Sequence, residues 1–264
     1  MFDTHTHSTY SPDGKKPLSL MADAALQRGL QGIACTEHAE WYPGDDAYGY
    51  LSLPDYFANL HSLQEAYADK LTVLSGIELG NPHDFPTEVT NILTSWSFDF
   101  VIGSVHWMDN LAGWERPIFQ RGIANTYRRY FDEVLTMVDQ AQFDVLGHLD
   151  LVRRDSWALF QQVLPLSDYS DIIHQILKRL IERGKGLEVN TSGLRKGMSE
   201  TLPNLEVLSW YRNLGGKILV FGSDAHQSAD IAYGFDMACE VAKAAGFSEI
   251  VVYKQRQITR WIRI

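Results

Sequence analysis

The chain has 264 residues, 45% hydrophobic and 21% charged, a length and balance that suit one large α/β domain or two small ones. Its formal net charge is −10, which argues against nucleic acid or an anionic membrane surface as the main partner. An anionic substrate stays open, because bound metal ions and a few arginines reverse the sign locally.

The first stretch, Asp3-Thr4-His5-Thr6-His7, reads as a strand, so His5 and His7 point the same way. Two imidazoles on one face of a strand end can share one metal ion. No signal sequence precedes this stretch, and no later run approaches the roughly 18 apolar residues of a membrane span. A cytoplasmic protein with no membrane partner is expected. Helical periodicity covers residues 19–30, followed by a buried strand at 32–36 that holds Cys35. That cysteine is expected as a buried, reduced thiol rather than half of a disulfide with Cys239. A helix follows at 53–68, with Pro54 near its start, and then strands at 71–77 and 98–103. Helices at 127–138, 169–181 and 203–214 alternate with strands at 143–147, 186–190 and 217–222. The tail after Gly246 is expected to give a last strand at 250–252 and a closing helix or arm.

Seven strands alternating with helices mean a parallel sheet with crossover helices, either a barrel or an open doubly wound sheet. The positions of the chemistry-bearing residues favour the barrel. Barrels gather reactive residues at the C-terminal ends of many strands. An open sheet concentrates them at one switch point. No GxGxxG or Walker loop follows the first strand, which lowers the nucleotide-fold alternative.

Strand one gives His5 and His7, and its loop gives Asp13. The following strand ends give His38, Glu78, His106 and His148 in turn. The sixth gives Asn190 and then Arg195, and the seventh gives Asp224 and His226. Taken singly, each has an ordinary structural reading: a hydrogen-bonded rim histidine, a helix cap at Asp224, a turn at Asp13-Gly14. Together they do not. Burying six imidazoles and three carboxylates without cations would carry a large desolvation cost.

His5-Thr6-His7, Asp13-Gly14, Thr36-Glu37-His38, Glu78, Ser104-Val105-His106, Gly147-His148 and Gly222-Ser223-Asp224-Ala225-His226 resemble the PHP (polymerase and histidinol phosphatase) family, in the family's order. The run Glu188-Val189-Asn190-Thr191-Ser192-Gly193-Leu194-Arg195 is similar to its histidinol-phosphatase branch. The resemblance implies an α/β fold, a distorted seven-stranded TIM-like (β/α) barrel, with residues 1–264 as a single phosphoesterase domain. It implies three divalent transition-metal ions. His5, His7, Glu78 and Asp224 would hold the first. Glu78, His106 and His148 would hold the second, with Glu78 bridging. Asp13, His38 and His226 would hold the third. Some relatives carry His where this chain has Asp13. Mixed imidazole and carboxylate donors suit zinc, iron or manganese, and spacing does not separate them.

The implied reaction is hydrolysis of L-histidinol phosphate to L-histidinol and phosphate, in histidine biosynthesis, by a metal-activated hydroxide. Glu78, Asp224 and Arg195 carry catalysis in this reading, and Arg195 neutralises the phosphoryl oxygens. Arg153 or Arg154 supplies a second arm to the phosphate, and Asp3 orients a ligating histidine. The loop 107–117 would cover the site, with Glu115 or Asp109 meeting the cationic end of the substrate. The alternatives are another small phosphate ester or nucleotide, an amidohydrolase-like hydrolase, and a non-catalytic metal protein. The second lacks its lysine at a strand end, and degeneration of the third would show as missing ligands. The oligomeric state is left open.

Overall fold

The computed structural model describes residues 1–264. In chain order it contains β1 (Phe2–Thr6), α1 (Leu18–Gln27), β2 (Gly32–Ala39), α2 (Leu53–Tyr67), β3 (Thr72–Gly80), α3 (Pro86–Ser95) and β4 (Phe100–Ser104). The short strands β5 (Trp107–Met108) and β6 (Leu111–Ala112) come next, then α4 (Ile123–Gln140), β7 (Val145–Leu146), α5 (Leu151–Phe160) and α6 (Ser170–Glu182). The chain closes with β8 (Gly186–Asn190), α7 (Ser192–Arg195), α8 (Leu205–Asn213), β9 (Leu219–Gly222), α9 (Phe235–Ala244), β10 (Glu249–Lys254) and β11 (Gln257–Arg263). No helix is long and apolar enough to cross a membrane.

β1, β2, β3, β4, β7, β8 and β9 pair in that order, each parallel to the next. The ends of this sheet nearly meet, giving the seven-stranded α/β barrel. The seam between β1 and the end of β9 is short: His7 N donates to Ala225 O (2.8 Å), Asp224 N to His5 O (2.8 Å) and Thr4 Oγ1 to Phe221 O (3.0 Å). Asp3 stitches the same seam. Its buried carboxylate accepts from Ser223 N (2.9 Å), Ser223 Oγ (2.5 Å) and Ala232 N (2.7 Å). It is therefore not the acceptor for a histidine ring that the sequence suggested, because those donors already occupy it.

Side-chain alternation sorts the strands into two layers. Ile33, Cys35, Val73, Ile77, Val101, Leu187, Val189 and Phe221 face the helices and join the main core. Phe2, Ala34, Leu74, Phe100, Ile102, Val145 and Val220 fill the lower barrel interior. Further up the same inward faces lie His38, Glu78 and Ser104, each an even number of residues along its strand from Ala34, Leu74 and Ile102, and Glu188 joins them from β8. β1 would break this rule, since Phe2 and His5 have opposite parity. A register shift between Asp3 and Thr6 supplies the extra residue. This bulge lets Phe2 fill the barrel floor while His5 and His7 still point inward at the top.

The strands and helices read from the sequence occur where expected, to within a few residues. Three helices of ten residues were not expected: α3, α5 and α9. α3 fully buries only Val89, with Ile92 and Leu93 partly buried against the core, so its apolar stripe is short. The tail is a β-hairpin rather than a strand and helix. Gln255 and Arg256 take φ of 50° and 60°, the left-handed pair a two-residue hairpin turn needs. Val251, Val252 and Tyr253 of the hairpin plug the lower barrel. Arg256 clamps it to Asp144, with contacts of 2.9–3.3 Å.

Candidate metal centre

At the C-terminal ends of the strands the side chains converge on Glu78, which is fully buried. Its Oε2 lies 3.2 Å from His5 Nε2, 3.5 Å from His7 Nε2 and 3.0 Å from His38 Nδ1. Its Oε1 lies 3.0 Å from His148 Nε2, 3.4 Å from His106 Nε2 and 2.6 Å from Ser104 Oγ. One carboxylate thus has an imidazole group on each oxygen. Asp224 Oδ1 is 3.5 Å from His7 Nε2 and 3.8 Å from His5 Nε2. Asp13 Oδ2 is 2.9 Å from His226 Nε2, and its Oδ1 is 3.7 Å from His38 Nε2. The His7 ring is sandwiched between His38 (centroids 4.1 Å apart) and His226 (4.3 Å). All nine proposed ligands therefore lie in one cluster, although residues 5 and 226 are far apart in sequence.

The donor set fits metal ions. His5 Nε2, His7 Nε2, His38 Nδ1, His226 Nε2 and Glu78 Oε2 are buried and lack an aligned hydrogen-bond partner, although carboxylate oxygens lie within 4 Å. Orphaned buried polar atoms are costly, and imidazole nitrogens facing carboxylate oxygens at these distances suit shared cations. Within the cluster four sets can each present one donor atom within 4.8 Å of the others: His7, His38 and His226; His5, Glu78 and His148; His5, His7 and Asp224; and His38, Glu40 and His106.

Against the burial that opposes a proton on them, the neighbouring carboxylates push His5 and His38 well above the usual imidazole range, and bound ions would displace those protons. Burial opposes the charge on Glu78 and Asp224, yet the surrounding histidines hold both carboxyls well below the usual range. Burial, with His38 and His226 beside it, keeps His7 neutral, the state a ligand needs. Burial works against a proton on His106, but Glu40 and Glu78 outweigh it and push its pKa up to about 10.

Carboxylates that the sequence reading did not assign hold the rings. Glu188 Oε1 lies 2.7 Å from His5 Nδ1, and Glu40 Oε1 lies 2.6 Å from His106 Nδ1. His7 Nδ1 meets Ser11 Oγ (3.3 Å), which donates to Glu37 Oε2 (2.7 Å). Such partners select the tautomer and aim the opposite nitrogen. The available signal was an acid inside an apolar strand run, as in Gly186-Leu187-Glu188-Val189-Asn190.

A cavity of about 490 Å³ opens over the cluster. Asp13, His38, Glu78, His106, His148, Asp224 and His226 form its floor. Asp45, Asp46, Trp107, Trp114 and Glu115 form an acidic, aromatic outer wall. Of the expected arginines, Arg154 lines the cavity, with Nη1 donating to Asp224 Oδ2 (2.9 Å) and Ser192 Oγ (3.0 Å). Arg153 does not: it is buried and paired with Asp150 (3.2 Å) and Glu200. Arg195 donates to the carbonyls of Ser223 and Asp224 and lies outside the cavity wall, so its fork grips the Asp224 loop. Asp109 is taken up by Arg129 (3.3 Å).

The PHP domain pattern matches residues 3–192. The chain belongs to the PHP family. Among its PHP relatives is a histidinol-phosphatase from Lactococcus lactis, 29% identical over 98% of this chain and 96% of the relative. A histidinol-phosphatase from Bacillus subtilis is 27% identical over 90% of this chain and 98% of that one. A crystal structure of the Lactococcus lactis histidinol phosphate phosphatase, complexed with zinc, L-histidinol and phosphate, superposes with a TM-score of 0.86. That match has 28% identity and covers 98% of both chains.

Proposed function

We propose that this PHP protein is a metal-dependent phosphatase that hydrolyses L-histidinol phosphate to L-histidinol and phosphate. The observation that carries the reading is the buried convergence of unpartnered imidazole nitrogens on Glu78, beneath a small cavity edged by Arg154. The full-length histidinol-phosphatase relatives and the ligands of the Lactococcus lactis structure support the substrate. The whole chain would act as one phosphoesterase domain, in the cytoplasm, as a step of histidine biosynthesis.

Three divalent ions are proposed, on the ligand sets set out above. His5, His7, Glu78 and Asp224 would hold one, Glu78, His106 and His148 a second, and Asp13, His38 and His226 a third. Zinc, iron and manganese all suit such donors. When bound, such ions polarise the phosphoryl group and supply an activated nucleophile at neutral pH. The chain's own residues do the rest. Glu78 and Asp224 stay ionised and hold the cluster together. Arg154 presents its remaining N–H groups to the phosphoryl oxygens, where a planar fork matches two of them at once. Arg195 acts through the Ser223–Asp224 loop that it grips. Asp45, Asp46 and Glu115 offer negative charge to the cationic end of the substrate, and the tryptophans exclude water around it.

The test is phosphate release from L-histidinol phosphate by protein of measured metal content, with and without a chelator. Turnover that the chelator abolishes and added metal restores is expected. No turnover by protein that holds its metal would overturn the substrate and turn attention to other small phosphate esters.

A further inference from the structure

Glu188 lies at the middle of β8 with no solvent exposure. A buried carboxylate is costly unless both of its oxygens are partnered, and those of Glu188 are. Oε1 faces His5 Nδ1 at 2.7 Å. Oε2 accepts the backbone N–H of His148 at 2.7 Å and Asn190 Nδ2 at 3.1 Å. The fold keeps room for it: a Cβ on Gly222 would collide with Glu188 Oε1.

We propose that Glu188 is a positioning residue that couples two metal positions, one oxygen fixing the His5 ring and the other the strand end that carries His148. This rests on the metal reading above and adds a residue which that reading does not contain. With its Nδ1 proton held by Glu188, His5 offers the Nε2 lone pair towards Glu78 and Asp224. The bond to His148 N sets the turn after β7, from which His148 Nε2 reaches the other oxygen of Glu78, 3.0 Å away. Glu40 does the corresponding work for His106 alone. Glu188 is therefore the one carboxylate outside the ligand set whose oxygens serve ligands on both sides of Glu78.

The experiment compares the zinc-loaded parent with Glu188→Gln. The glutamine keeps the shape and can still accept from His148 N, but it carries no charge. Zinc affinity is read by competition with a chromophoric chelator and by elemental analysis of the dialysed protein. The ions held through His5 and His148 should bind about 10–100-fold more weakly, a loss typical of removing such a partner. The ion on Asp13, His38 and His226 should be retained. Long-range ¹H–¹⁵N spectra of histidine-labelled, zinc-loaded parent should show the His5 proton on Nδ1. Unchanged affinity in Glu188→Gln would overturn the proposal, and so would equal weakening of every ion, since that is general damage. A His5 proton found on Nε2 would also overturn it, and this holds even if the variant does not fold. A parent that binds no zinc fails before any variant is made, and so marks failure of the metal reading itself.

Discussion

Arg154 shows how much a single side chain's partners decide. Two consecutive arginines follow His148, and only their contacts separate them. Arg153 is turned into a buried pair with Asp150 and Glu200, whereas Arg154 lies in the cavity wall against Asp224. Arg154→Lys should keep a charge but lose the fork, and kcat/KM for histidinol phosphate should fall by about 10²–10³, the scale of losing one transition-state donor. Steady-state kinetics at fixed metal content measures this, and a fall of less than about threefold would remove Arg154 from the phosphate site. The sequence could not choose between the two arginines, because one position along α5 turns a side chain by about 100°.

At the scale of elements, the β5–β6 hairpin and the Glu115 segment behind it form the cover of the cavity. Trp107 stacks on Tyr42 with centroids 5.0 Å apart, and its Nε1 donates to Asp45 Oδ2 at 2.7 Å. Asn81 Oδ1 accepts both His106 N and Trp107 N at 2.9 Å. The cover and His106 are thus both tied to the end of β3, the strand that carries Glu78. Arg129 occupies Asp109, which leaves Glu115 as the hairpin-side carboxylate on the cavity. Glu115→Gln should raise KM for histidinol phosphate several-fold more than KM for phenyl phosphate, which lacks the amine. Equal changes for both substrates would assign Glu115 a packing role only. The loop's position over the site was legible in the sequence, from its place after His106. Which of its acids was free was not, because Arg129 comes from α4.

For the whole molecule, stability depends on pH through the donors for which protons and metal ions compete. In the ion-free chain His106 is held protonated by Glu40 and Glu78, with its pKa raised from 6.5 to about 10. A raised folded-state pKa means that this contribution is complete below about 6.5 and is lost as pH rises through about 10. A metal ion must displace that proton, so metal affinity weakens as pH falls, by about tenfold per unit for each proton released. Metal loading should therefore raise Tm, and the gain should shrink from pH 8 to pH 6. Thermal scans of chelated and zinc-loaded protein at matched pH check this. A gain independent of pH would show that no ligand proton is exchanged.

The sequence by itself determined the alternation of strands and helices, and it placed eight of the nine proposed ligands at strand ends and Asp13 in the loop after the first. It could do so because apolar runs set buried strands locally, and because residue type alone marks imidazole and carboxylate donors. It missed α3, α5 and α9; the inner face of α5 mixes Leu151 and Val152 with Arg153, Asp155 and Ser156, which hides the apolar period, while α3 and α9 are short helices of ten residues. Only the tertiary structure decided that a bulge in β1 keeps His5 and His7 inward, that Asp3 closes the seam, and that Arg153 and Arg195 are taken up by other partners. It also brought Glu188 to His5 across 183 residues of chain. The physical reason is the same in each case: a hydrogen bond's partner is set by distance in space, and strand pairing creates distances that local sequence does not encode.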